Sequence, residues 1–159
     1  MKKFLLFSFL ALMLIPLTAC SSENKNTKNS LLIASAQTEK KEVKIKVTVG
    51  KQVMTATLLD NDTAKALIAK FPLTLPMQDL YAREMCYRFP DPLPASGATT
   101  SGYEIGDISY WTPRHSLVIF YKQNGEVITN LQKIGNFDSS VRIFEQTGDT
   151  NVTFELLNQ

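Results

Sequence analysis

Residues 43–58 read VKIKVTVGKQVMTATL, and they decide the fold. Val43, Ile45, Val47 and Val49 alternate with Lys44, Lys46 and Thr48, so one face is apolar and the other polar, the period-two mark of a half-buried strand. Gly50-Lys51 then supplies a two-residue turn, with glycine able to take the positive φ that a II′ hairpin demands. Met54, Ala56 and Leu58 repeat the alternation in a second strand. An antiparallel hairpin is therefore the seed of the domain.

Working outward towards the C-terminus, Asp60-Asn61-Asp62-Thr63 carries side chains that accept the free amide protons of a first helical turn. Ala64, Leu67, Ile68 and Phe71 follow at helical spacing, and Pro72 ends the helix. The stripe is core. Leu73-Thr74-Leu75 is expected to be a short extended piece and residues 84–89 (EMCYRF) a strand. Residues 90–102 (PDPLPASGATTSG) read as one long loop. Residues 107–112 and 116–122 form an apolar hairpin around Pro113-Arg114-His115, with His115 solvated in the turn. Asn124-Gly125 is another turn signal, and residues 127–134 continue as strand. Asp138 or Ser139 is expected to cap a short helix carrying Val141 and Phe144, and Val152, Phe154 and Leu156 close with a last strand. Many short strands with two short helices predict a closed β-barrel with helices at its ends.

Working back towards the N-terminus, Lys2 and Lys3 precede an apolar run from Phe4 to Leu17. As a helix that run would span roughly 21 Å, short of the ~30 Å of a bilayer core. It reads as a signal peptide over residues 1–19. Leu17-Thr18-Ala19-Cys20 resembles the bacterial lipobox, in which the cysteine sulfur takes a diacylglyceryl group and cleavage occurs just before it. With N-terminal acylation such as palmitate added, two or more chains make anchoring stable where one is marginal. Ser21 in place of an aspartate offers no inner-membrane retention signal of the enteric type. The implied address is extracytoplasmic: the outer membrane or periplasmic face in a two-membrane cell, the cell surface otherwise. Residues 20–42 comprise the lipidated cysteine and a polar tether that reaches about 26 Å as a coil. The domain occupies residues 43–159. With Cys20 lipidated, Cys86 has no disulfide partner and reads as a small buried side chain.

The chain's 159 residues carry 17 basic and 15 acidic side chains, and loss of the signal peptide brings the balance to zero. Nothing there supports nucleic-acid binding. One histidine and no Cys/His spacing give no zinc site, Asp60 and Asp62 lack the remainder of a calcium loop, and no glycine-rich phosphate loop occurs. No cofactor is expected.

The stretches 56–64 (ATLLDNDTA), 71–75 (FPLTL), 106–110 (GDISY), Phe120-Tyr121 and Lys133-Ile134-Gly135 resemble, in order and spacing, the small bacterial cyclophilin-like domains. The resemblance implies a mainly β fold: a closed eight-stranded barrel with two short helices capping its ends. It does not bring prolyl isomerase activity with it. The Phe-His-Arg-x-Ile-Pro and Gln-Gly-Gly-Asp motifs of true cyclophilins are absent, Arg88-Phe89-Pro90 is a superficial echo, and Arg83, Arg114 and Arg142 have no matching context. The candidate binding groove is Tyr81, Glu84, Tyr87, Tyr110 and Trp111, in which aromatic side chains with polar tips surround the family-matching acidic position Glu84. The expected role is a membrane-anchored binding module for a ligand, protein or peptide outside the cytoplasm. The alternatives are a prolyl isomerase acting on exported proteins and a purely structural interaction lipoprotein. A catalyst needs an arginine beside an open apolar groove.

Overall fold

The structure is a computed structural model and describes residues 41–157; the expected signal peptide, Cys20 and nearly all of the expected tether lie outside the described residues. The hairpin β1 (Val43–Val49) and β2 (Gln52–Leu58) forms as the alternation dictates, with Val43 opposite Leu58 and Val49 opposite Gln52. Strands β3 (Leu73–Leu80), β4 (Glu84–Arg88), β6 (Asp107–Trp111), β7 (Ser116–Phe120), β8 (Ile128–Phe137) and β9 (Thr150–Leu156) complete the wall, and β5 (Thr99–Ser101) is an annex paired only with β8. The order β2-β1-β9-β3-β4-β7-β6-β8 closes on itself because β8 also pairs with β2, giving an eight-stranded antiparallel barrel.

The closing seam is short, with Ala56 opposite Phe137 and Leu58 opposite Gly135. Gly135 is needed there, since a Cβ at this position would lie 2.5 Å from the Thr57 carbonyl oxygen. The interior is filled by inward residues of every wall strand, among them Ile45, Val47, Ala56, Leu58, Met77, Met85, Ile108, Leu117, Ile119, Ile134 and Phe154. Burial of such side chains supplies most of the drive to fold.

Helix α1 (Asp62–Ile68) starts at Asn61, whose side chain accepts from the Ala64 amide, and it buries Ala64 and Leu67 in the same core. It ends at Ile68, one turn before Pro72. Helix α2 (Phe144–Thr147) contributes Phe144. The register sets the two helices at opposite barrel ends, because α1 follows the Leu58 end of β2 whereas α2 precedes β9 at the Val49 end of β1.

Several expectations are corrected. Asp138 and Ser139 do not cap α2, which begins after Ile143 without a side-chain cap; Asp138 instead accepts from Thr57 (2.6 Å) and Lys44 (2.9 Å). The extended piece at Leu73 runs on through Pro76 to Leu80, since β3 pairs with β9 over its first half and with β4 over its second. The loop at 90–102 contains β5. Its Thr-Thr-Ser carries no apolar alternation to betray a strand. Thr112–Arg114 form a 3-10 turn closed by His115, which is half-buried at φ +50°.

Candidate functional site

Strand alternation sorts the wall β4-β7-β6-β8 into an inner and an outer face. On β4, Met85 and Tyr87 join the barrel core while Glu84, Cys86 and Arg88 point outward. On β7, Leu117 and Ile119 point in and Ser116, Val118 and Phe120 out. The outer face carries an apolar cluster of its own, Cys86, Tyr103, Val118, Phe120 and Leu131, packed with Leu80, Trp111 and Ile128. Over it opens a cavity of about 430 Å³.

Register turns this lining into rows. Arg88 stands opposite Ser116, Ser116 opposite Trp111 and Trp111 opposite Leu131, which makes one end. Cys86 opposite Val118 forms the middle of the floor, and Glu84 opposite Phe120 the far end. Trp111 is fixed by donation from Nε1 to the Thr129 carbonyl (3.0 Å). Phe120 is stacked under Tyr103, ring centres 3.9 Å apart, and the Tyr103 hydroxyl donates to Asn124 (2.7 Å).

The far end is charged. Arg83, buried, donates from Nε (3.2 Å) and Nη2 (2.7 Å) to Glu84 Oε2 and from Nη1 to Glu126. Its guanidinium also sits 5.5 Å from the ring centres of Tyr81 and Tyr103 and 5.9 Å from that of Phe120. Burial pushes the Glu84 carboxyl above its usual range, against the pull of Arg83, while the hydrogen bond from Arg83 holds the exposed Glu126 below it. One guanidinium faces two carboxylates, so this end is net negative when all three are ionised. Arg88 at the near end is exposed and has no ion pair among the described residues. Cys86 lies buried between the ends as a free thiol whose pKa burial raises, a poor nucleophile.

Of the residues expected at the groove, Tyr81, Glu84 and Trp111 line the cavity. Tyr81 is 79% exposed at the rim. Tyr87 faces away, packed edge-on against Phe89 at 5.1 Å, and Tyr110 is buried in the barrel, its hydroxyl accepting from the Leu93 amide (2.9 Å). Glu84 and Tyr87 are three residues apart in one strand, and Tyr110 and Trp111 are neighbours in another; in either case alternation puts the two on opposite faces. Arg88 and Phe120 were legible by the same parity, counting in twos from Glu84 and from Ser116. The Arg83–Glu126 pair was not, because 43 residues separate its members. Among the described residues no group of three His, Cys, Asp or Glu side chains is arranged to hold a metal ion.

Comparison with known proteins bears on the fold. A model of the cyclophilin-like family matches residues 47–155. The chain is also similar to the solution structure of a hypothetical protein from Archaeoglobus fulgidus, with a TM-score of 0.61 and 14% sequence identity over 76% of this chain and 99% of that one. At that identity the likeness is one of fold alone. A search of curated proteins finds no match.

Proposed function

Since the chain belongs to the cyclophilin-like family, we propose that it is a membrane-anchored extracytoplasmic lipoprotein whose barrel binds a ligand in its outer-wall cavity and catalyses nothing. The observation that carries this reading is the division of the wall into two faces: the interior is filled, and a second, buried apolar cluster on the outside floors a cavity flanked by charge. A concave site with an apolar floor and a few convergent charged groups is the usual form of a ligand pocket. The lipobox supports the anchor, and the tether would let the cavity stand clear of the headgroups.

The first test uses the chain itself. Trp111 is the sole tryptophan and lies in the cavity, so its emission reports occupancy. Titration with apolar and peptide ligands is expected to shift that emission and to raise the thermal midpoint; a panel that moves neither overturns the binding role. Separately, Cys20→Ser is expected to abolish labelled-palmitate incorporation and to move the protein from the membrane fraction to the soluble one. Unchanged partitioning would overturn the anchor.

One observation favours a second reading. Arg88 beside an apolar floor is the minimum a prolyl isomerase needs, namely a donor for the prolyl nitrogen as amide resonance, with its ~18–20 kcal/mol barrier, is lost. A protease-coupled assay decides. No rate above background is expected, and catalysis lost in Arg88→Ala would reverse that.

A further inference from the structure

Resting on the binding role just proposed, we infer that the cavity takes a short unblocked peptide with apolar side chains, bound by both of its charged termini. Three features of the site converge on this ligand.

The first is charge separation. Glu84 and Arg88 project from the same face of β4, four residues apart, so their backbones lie about 13 Å apart along the strand. At one end stands an exposed cation that forms no ion pair among the described residues, though Glu84 still feels its charge; at the other, two carboxylates share one guanidinium. The site is a fixed dipole. An extended peptide advances about 3.3 Å per residue, so three or four residues match the span. Its ammonium lies against Glu84 and Glu126, and its carboxylate meets Arg88, whose fork can hold both oxygens.

The second is what separates the charges. Cys86 and Val118 form an uncharged floor, with Phe120 and Trp111 at its two ends. Peptide side chains of apolar type would bury there. A small ion would leave this floor empty, and an amphiphile with one charged head would leave one end of the dipole unanswered.

The third is the rim. Tyr81 and Ala82 both hold left-handed backbone conformations, φ +59° and +46°, in the tight β3–β4 turn that sets Tyr81 beside the cavity. Strain of this kind is tolerated where it positions a side chain. Tyr81 is 79% exposed yet held beside Arg83, where a bound peptide would cover it.

The experiment compares four versions of one peptide, Ala-Val-Phe-Ala: unblocked, N-acetylated, C-amidated and doubly blocked. Each is titrated into the full-length chain in detergent, read by Trp111 emission and by calorimetry. The unblocked form is expected to bind most tightly. Amidation should weaken it by about 10- to 100-fold, the worth of a hydrogen bond to a charged group. Arg88→Ala should erase the preference for the free carboxylate while leaving the preference for the free ammonium intact. Arg88 is exposed, and the blocked peptides test the same claim without any variant. Equal binding of all four forms overturns the inference while leaving the cavity a binding site, and so does a preference for the free carboxylate that survives in Arg88→Ala. If no peptide binds but a singly charged amphiphile such as dodecanoate shifts Trp111, the inference likewise falls and the binding role stands. If nothing shifts Trp111, both fall.

Discussion

Glu84 shows what a single buried carboxyl does to the chain. Burial raises its pKa above the ordinary 4.5, against the pull of Arg83. The folded protein therefore holds this proton more tightly than the unfolded chain does. Its contribution to stability is complete below about pH 4.5 and is lost as the pH climbs through the folded value. Glu84→Gln keeps the shape and removes the titration. Wild type is thus expected to lose stability relative to Glu84→Gln as the pH rises through that window, measured as the difference in urea midpoint at a series of pH values. Glu126 and Asp138, both held below their usual values, act in the opposite sense and largely cancel in the difference. A difference that stays flat with pH would mean that Glu84 titrates normally.

At the scale of elements, the turn between β3 and β4 is a place where local sequence opposes local structure, with two successive left-handed residues that are not glycine. The Arg83 amide donates to the Leu80 carbonyl (3.1 Å), closing a two-residue turn of the kind that favours Asn-Gly, yet Tyr81 and Ala82 occupy it. A left-handed residue other than glycine costs roughly 1–2 kcal/mol, part of which Gly gives back as flexibility of the unfolded chain. Ala82→Gly is expected to stabilise the protein by about 0.5–1 kcal/mol. That corresponds to a rise of about 2–5 °C in Tm by calorimetry; no rise would mean that the turn is unstrained. The elements legible in the sequence were those with an unbroken period. β1 and β9 alternate strictly, β2 does so from Met54 onward, and α1 has both its cap and its stripe. β5 was hidden because three polar residues carry no pattern, and the length of β3 because Pro76 stands in its middle. The candidate site was legible in part for a different reason. Aromatic chemistry pointed to the right strands, but choosing between neighbours such as Tyr110 and Trp111 needed the parity of the strand, and the Arg83 network needed the fold.

At the scale of the whole molecule, closure hangs on the narrow seam between β2 and β8. There the Leu59 amide donates to the Ile134 carbonyl (2.8 Å) and Gly135 lies against the Thr57 carbonyl. Gly135→Ala would press a methyl carbon onto that oxygen, and neither backbone can move without parting the strands. A loss of about 3 kcal/mol or more is expected in urea unfolding. Faster exchange of the Leu59 amide would accompany it, while the β4–β7 amides stay protected. A small loss with no change in exchange would show that the seam can yield.

The alternation along β4 and β7 has one more consequence, and it concerns which positions are free to change. In these two strands every second residue packs into the core and the ones between line the cavity, so two sets of demands fall on one stretch of chain without interfering. Met85 and Ile119 must remain apolar for the barrel to exist, whereas exposed Arg88 can be exchanged at little cost to it. Such a wall can keep its architecture while residues lining the cavity change. The barrel is shared with the archaeal structure at 14% identity, where little but the fold remains alike.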